Sequence, residues 1–182
     1  MVAWHLAAVL FLFRWIFRDP KVDVRFLAVG VLLPDLVDLS TVTLVGGESG
    51  ELWGHSLIVP TLLGVGVLIG TRRGRRRRAW MALVVAWLFH LLIDRMWLNE
   101  AVFLWPFFGW NLVGEGSVSF WPAAWERATS DPWRWILEGL GVAYLAWVAV
   151  ASGLTSRRAR VDLVETGRLP DRPPGVEGGP SC

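Results

Sequence analysis

Apolar residues are gathered in five runs separated by short polar connections. A helix crosses the roughly 30 Å apolar core of a bilayer with about 17–25 residues, and all five runs approach that length. The pattern therefore predicts an all-α, polytopic membrane helix bundle of four to five spans, in which the short first and third runs are met by local thinning or incomplete spanning. The runs are Met1–Phe17, Phe26–Val45, Ser56–Thr71, Ala79–Trp97 and Trp135–Leu154.

The runs and their connections form one predicted membrane-embedded domain over residues 1–154. Within it, residues 98–134 are rich in Trp and Phe, which favour the membrane–water interface. We expect this connection to lie on the outer leaflet, either as an anchor or as a rim over a site. Residues 155–182 contain Pro and Gly and few apolar side chains, so a disordered tail is expected there.

Composition agrees with a membrane protein and removes other classes. The chain is 54% apolar and 19% charged, against about 45–50% and about 25% in soluble domains. Cys182 is the only cysteine, which excludes a disulfide scaffold. The sequence is also too apolar to be disordered over most of its length.

The basic residues predict the orientation of the helices. Most of the 18 Lys and Arg fall in the first and third connections and after the last run, including the dense Arg run over residues 72–78. Because Lys and Arg favour cytoplasmic loops, the N-terminus is predicted outside and the C-terminus in the cytoplasm. Attraction to anionic lipid explains the Arg run, so no nucleic-acid partner is expected.

Ionisable side chains inside apolar spans are costly, about 2.5–3.5 kcal/mol each on insertion scales, and are candidates for function. On the predicted topology they all fall toward the outer leaflet. Asp and His ligands suit divalent ions such as Zn²⁺, Mn²⁺ or Fe²⁺. The i, i+3 spacing places the two carboxylates of the second run on one helix face, and the i, i+4 spacing does the same for the His/Asp pair of the fourth run. The candidate metal ligands are His5, Asp35, His55, His90 and Asp94, and Asp38 is their neighbour.

Four further interpretations remain open from the residues alone. Asp38 is a ligand, a partner that orients an imidazole, a helix cap or a general base. Glu51, four residues before His55, is a solvated side chain or a base. Arg95 pairs with Asp94 or binds a substrate anion. Glu138 pairs with Arg134, its i, i+4 neighbour.

At these residues the sequence resembles the YdjM-like family of bacterial inner-membrane proteins described as metal-dependent hydrolases. The family pattern is an N-terminal His, a Gly-x-Leu-Leu-Pro-Asp-x-x-Asp segment, a Thr-His-Ser segment, a His-x-x-x-Asp segment and a Trp-Pro-Phe stretch. The matching segments are His5, Gly30-Val-Leu-Leu-Pro-Asp35-Leu-Val-Asp38, Gly54-His55-Ser56-Leu57, His90-Leu-Leu-Ile-Asp94 and Leu104-Trp105-Pro106-Phe107.

The resemblance implies a distant relationship to zinc phospholipase C and P1-type nucleases. It implies that one ion, with Zn favoured, is held by Asp35, His55, His90 and Asp94, and that His5 lies near a second. The chain departs from the pattern at Gly54, where the family usually has Thr, and Leu52-Trp53 replace an upstream basic residue. Its 3 His do not supply a trinuclear cluster, so one or two ions are expected.

Two functions follow as hypotheses. The first is a metal-dependent hydrolase acting on a phosphoester or lipid-derived substrate at the outer face of the cytoplasmic membrane, with Asp38, Glu51 and Arg95 as candidate catalytic residues. The second is a non-enzymatic membrane protein, either a proton or ion conduit or a scaffold. The polar groups gather at one depth, which argues against a relay across the bilayer. Oligomeric state stays open.

Overall fold

The computed structural model describes residues 1–18, 21–46, 52–109, 125 and 129–170. Every regular element in these ranges is helical, which confirms the all-α class. Two of the helices continue into a π-helical turn, at Leu12–Ile16 and Val42–Gly46, and two short 3₁₀ turns lie at Trp53–His55 and Met96–Leu98. The α-helices are α1 (Val2–Phe11), α2 (Val24–Thr41), α3 (Ile58–Gly70), α4 (Arg75–Ile93), α5 (Glu100–Phe103), α6 (Pro132–Ala151) and α7 (Arg157–Thr166).

Helices α2 and α4 lie side by side and run in the same direction. Near their starts, the rings of Phe26 and Trp80 are 5.4 Å apart. Near their ends, Asp35 Oδ1 lies 3.6 Å from His90 Nε2. The two helices therefore stay together over most of their length.

Helices α1 and α6 form a second parallel pair. The backbone N–H of Ala3 donates to Glu138 Oε1 at 2.9 Å near the start of both helices. Further along, the rings of Phe11 and Tyr144 are 5.9 Å apart, edge to face. Both helices therefore point the same way.

The two pairs run in opposite directions. His5, at the start of α1, contacts Asp94 at the end of α4. His55, just before α3, contacts Asp35 in the second half of α2. Consequently α1, α3 and α6 begin at the end of the bundle where α2 and α4 finish, as helices that alternate in direction along the chain should.

The apolar core lies between these helices. One cluster joins α1, α2, α4 and α6, and a second joins α4 to the segments that follow it. Burial of apolar surface of this kind contributes about 25 cal/mol per Å² in water. The fully or nearly fully buried members of the first cluster are Val9, Leu10, Phe13, Val22, Leu27, Val31, Ala82, Ala86 and Val148.

Among the helices in the described ranges, two are long and apolar enough to cross a membrane by length and composition, Val24–Leu44 and Pro132–Ala151. The apolar helices Val2–Ile16 and Ile58–Gly70 are shorter. The 13 residues of α3 extend about 20 Å at a rise of about 1.5 Å per residue. Helix α4 begins with a run of Arg, which lowers its hydropathy. The structure thus supports two spans, and the predicted four or five remain a prediction.

The tail differs from its prediction. Disorder was expected from residue 155 onward, yet Arg157–Thr166 forms helix α7. Ser156 caps its start by accepting a hydrogen bond from Ala159 N at 3.2 Å. Two Arg side chains from the basic end of the bundle hold its C-terminal carbonyls: Arg25 donates to Val164 O and Arg75 to Thr166 O. Capping and these cations, rather than an apolar face of its own, stabilise the segment.

Asp23 anchors the same end of the molecule. It caps α2 by accepting from Arg25 N at 3.1 Å, and the Arg25 guanidinium also donates to both carboxylate oxygens. These hydrogen bonds lower the pKa of Asp23 from its ordinary value. The backbone N–H of Val24 donates to Gly167 O at 2.7 Å, which ties the tail to the start of α2.

Residues 110–124 and 126–128 of the aromatic connection over residues 98–134 lie outside the described residues. Its described beginning packs beside the 3₁₀ turn before α3. The rings of Trp53 and Trp105 are 4.7 Å apart, and Leu57 N donates to Phe103 O at 2.9 Å. Phe107 and Phe108 are exposed next to this contact.

Candidate metal centre

All three histidines meet at the end of the bundle opposite the Arg-rich connections. His5 comes from α1, His55 from the turn before α3, and His90 from α4. Each is nearly fully buried. The ring centroids of His5 and His90 are 4.5 Å apart, and those of His55 and His90 are 5.4 Å apart. Burying three polar imidazoles so close together costs free energy unless each ring is engaged by a partner.

His55 is oriented by Asp38. Its Nδ1 donates to Asp38 Oδ2 at 2.6 Å, and the same buried carboxylate accepts from Leu52 N at 2.7 Å and from Gly54 N at 2.6 Å. An ionised carboxylate only accepts, so the proton of His55 is on Nδ1 and its Nε2 lone pair points away from Asp38. A carboxylate that fixes the tautomer in this way is the usual support of a metal-binding histidine.

The turn that carries His55 packs tightly against α2. A Cβ on Gly54 would lie 2.2 Å from Pro34 O and 2.8 Å from Asp38 Oδ1. The indole N–H of Trp87 on α4 donates to Gly54 O at 2.8 Å. Any side chain at residue 54 would push the turn off α2, which gives a physical reason for Gly at this position.

His5 is held in a similar manner. Its Nδ1 donates to the backbone carbonyl of Met1, one turn earlier on α1. Its Nε2 lies 2.9 Å from Asp94 Oδ1. With Nδ1 engaged by a carbonyl, Nε2 is the atom left to face the carboxylate.

His90 has no conventional partner. Both ring nitrogens are buried and lack a hydrogen bond among the described residues. Its Nε2 lies 3.0 Å from Asp94 Oδ2 and 3.6 Å from Asp35 Oδ1. A buried polar group without a hydrogen bond is costly unless something else engages it, and metal coordination is such an engagement.

Four candidate ligand atoms lie close to one another. Besides the two distances from His90, His55 Nε2 lies 3.7 Å from both Asp35 Oδ1 and Asp94 Oδ2. Ligand atoms about 2.0–2.2 Å from a tetrahedral ion are about 3.4 Å from one another. These four separations bracket that value. Asp35, His55 and His90 thus form one group that could hold a divalent ion, and Asp94 approaches two of its members.

The donor set also supports a second position. His5, His90 and Asp94 form another group whose ligand atoms all lie within 4.8 Å of one another, as do those of Asp35, His55 and His90. Asp94 turns one oxygen toward His5 and the other toward His90 and His55. Asp94 would therefore offer an oxygen to each of two neighbouring positions, whereas the single Nε2 of His90 would serve one.

Exposure gives the cluster a direction. The side chain of Asp35 is 52% exposed and that of Asp94 31%, whereas the three imidazoles lie beneath them. Access to the cluster is therefore through the carboxylates at the end of the bundle. Half-exposed acidic groups above buried imidazoles leave room for a ligand from outside.

The other predicted residues are placed less simply. Arg95 is exposed, has a left-handed backbone (φ 56°), and its predicted ion pair with Asp94 is not among those that the described residues form. Glu51 lies outside the described residues. Both oxygens of Asp38 accept hydrogen bonds, from three donors in all, an arrangement that suits an orienting group better than a base.

Sequence reasoning missed the partner of Glu138. The interpretation was a pair with Arg134, but the carboxylate accepts from the backbone N–H groups of Ala3 and Trp4 at 2.9 and 3.1 Å. Trp87, which holds the His55 turn, was also missed. A lone carboxylate in an apolar run was the available signal for the first, and no local signal marked the second.

A family model described as YdjM inner membrane protein matches residues 2–158, most of the chain and all of the His/Asp cluster. No curated protein and no solved structure is significantly similar to the chain.

Proposed function

The chain belongs to the YdjM inner membrane protein family, and from that premise we propose that it is a membrane-embedded, metal-dependent hydrolase. The observation that carries the proposal is the approach of Asp35 on α2 and His55 before α3 to His90 and Asp94 at the end of α4, with carboxylate oxygens 3.0–3.7 Å from imidazole nitrogens. A divalent cation between these carboxylate oxygens and imidazole nitrogens would offset the charge of the carboxylates and engage the imidazole lone pairs.

A divalent ion bound there would supply an activated water near neutral pH and polarise a phosphoryl or acyl oxygen. Asp35, His55, His90 and Asp94 would hold it, with half-exposed Asp35 on the open side and His5 beside a second candidate position. Asp38 would keep His55 in its binding tautomer and would act through His55 rather than as a base. Zinc is the ion we favour for this mixed His and Asp set, with Mn or Fe as substitutes.

The proposed substrate is a phosphoester, either a small molecule or derived from a lipid. Arg95, exposed beside Asp94, would bind its anionic group by charge-assisted hydrogen bonds. Trp53, two residues before His55, contacts Trp105, and this aromatic pair suits an interfacial position. Glu51, in the neighbouring connection, remains the candidate base.

The proposed placement is the bacterial inner membrane, with four or five spans and the cluster at the outer face. It is supported by the separation of charge: the His/Asp cluster and the Arg-rich connections lie at opposite ends of the bundle. Basic connections favour the cytoplasmic side. Residues 155–182 would then lie in the cytoplasm.

The direct test is metal content and hydrolysis in the same preparation. Detergent-purified wild-type protein should carry at least one divalent ion per chain and cleave an activated phosphodiester. His90→Ala and Asp35→Ala should lose both, because each removes a ligand, whereas Asp162→Asn on exposed α7 should keep both. Wild-type protein without stoichiometric metal, or metal retained in His90→Ala, would refute the proposal. Metal-independent proton flux lost in Asp35→Asn would favour a conduit instead.

A further inference from the structure

Helix α1 begins without a cap of its own. Its N-cap residue, Met1, makes no side-chain hydrogen bond to the first turn. The first N–H groups of a helix need partners, above all where no water reaches them. Those partners come from another helix: Glu138 on α6 accepts from Ala3 N through Oε1 and from Trp4 N through Oε2.

The contact is close because α6 has no side chain at the crossing point. A Cβ on Gly141, one turn after Glu138, would lie 2.6 Å from both Ala3 C and Trp4 N. Gly141 is buried in this position. Glu138 and Gly141 together fix both the height and the distance of the first turn of α1 against α6.

That first turn carries His5. Glu138 accepts from the N–H groups of Ala3 and Trp4, the two residues directly before His5. His5 Nδ1 donates to Met1 O within the same turn. The ring then stacks near His90 and reaches Asp94. A shift of the first turn would therefore move His5 Nε2 relative to Asp94 Oδ1.

We propose that Glu138 is a positioning residue for His5: through the two N–H groups of the α1 first turn, it sets the distance of the His5 imidazole from the Asp94 side of the metal cluster. The proposal deepens the function proposed above and depends on it. A carboxylate in an apolar span is unfavourable where helix packing alone is needed, because an apolar residue would pack there at less cost. Its negative charge also complements the positive start of α1.

The test is a double-mutant comparison read by Zn²⁺ affinity in the full-length, detergent-purified protein. Zn²⁺ titrations against a chromogenic chelator compare wild type, Glu138→Ala, His5→Ala and the double variant. Glu138→Gln serves as a second, nearly isosteric variant. Asp131→Ala is the matched control, because Asp131 caps α6 itself by accepting from Trp133 N and has no hydrogen bond to α1 among the described residues.

The expected result is a 10- to 100-fold loss of Zn²⁺ affinity in Glu138→Ala, the range usual for groups that support a ligand. Glu138→Gln should show part of that loss, because an amide keeps one acceptor oxygen. In the His5→Ala background, Glu138→Ala should cause less than a threefold further loss, since the residue it positions is gone. Asp131→Ala should bind Zn²⁺ as wild type does.

Three results would overturn the inference. These are wild-type affinity in both Glu138 variants, an equal loss from Glu138→Ala with and without His5, and no effect of His5→Ala itself. The first two leave the hydrolase proposal standing if His90→Ala still loses metal. Wild-type protein that binds no Zn²⁺ would overturn both.

Discussion

Carboxylates of the cluster differ in what surrounds them, and the difference separates their roles. Asp38 is buried and accepts from two backbone N–H groups and His55. Asp35 is half exposed and faces the imidazole nitrogens of His55 and His90. A carboxylate with both oxygens engaged by nearby donors holds its neighbours in place, whereas an open one is available to an ion.

Replacing Asp38 should weaken metal binding without removing a ligand. Asp38→Ala frees the His55 ring and leaves Leu52 N and Gly54 N unsatisfied, so the affinity for Zn²⁺ should fall about 10- to 100-fold. Chelator competition measures the change, and Asp162→Asn on α7 is the control. Unaltered affinity in Asp38→Ala would contradict the orienting role.

A methyl group at residue 54 should destabilise the fold. Gly54→Ala places a Cβ against the backbone of Pro34, and overpacking of this kind costs about 1–3 kcal/mol. Gly66→Ala is the matched control, because nothing lies within 4 Å of its Cβ and Ala favours the helix by about 0.5–1 kcal/mol. Thermal unfolding in detergent should therefore shift downward for the first variant only. Equal midpoints would show that the turn moves freely.

For single residues, the sequence predicted the position of a side chain along its helix but not its hydrogen-bond partners. The heights of His5, Asp35 and His90 along their helices could be predicted, because helix direction alternates between short connections. The contacts of Asp38 and Glu138 could not. Local i, i+3 and i, i+4 rules favoured Asp35 as the neighbour of Asp38 and Arg134 as the neighbour of Glu138. The real partners of Asp38 and Glu138 come from distant segments that only tertiary packing brings near.

Among the elements, helix positions followed the apolar runs while helix ends followed capping. The second predicted run starts at Phe26, but α2 starts at Val24 because Asp23 caps it. Helix α7 escaped prediction altogether, since its composition is polar. Ser156 before it and Gly167 after it are the start and stop signals that mark it in the sequence.

The Asp23 cap predicts a pH-dependent contribution to stability. The Arg25 hydrogen bonds lower the folded-state pKa of Asp23 below its unfolded value, so its contribution is full above the unfolded pKa of about 3.9 and is lost as pH falls through the folded pKa. Asp23→Ala should be about 0.5–2 kcal/mol less stable at neutral pH. Urea unfolding from pH 7 down to pH 3 should show this difference narrowing at the acidic end. A difference that grows with acidity would contradict the assignment.

For the whole molecule, the separation of charge implies an orientation. The single Cys182 offers a natural reporter for the cytoplasmic side. In intact spheroplasts, a membrane-impermeant maleimide should leave Cys182 unlabelled until the membrane is permeabilised. A Ser49→Cys variant in a Cys182→Ser background should be labelled at once, because residue 49 is in the predicted outer connection. The opposite pattern would invert the proposed topology and place the cluster at the cytoplasmic face.

The central claim is that separate helices bring imidazole and carboxylate groups to one divalent ion. X-ray absorption at the zinc edge of the Zn²⁺-loaded protein reads that coordination directly. The account predicts a nitrogen and oxygen shell at about 2.0–2.2 Å without sulfur, with imidazole scattering that diminishes in His90→Ala. A shell without imidazole, or one unchanged by His90→Ala, would contradict it.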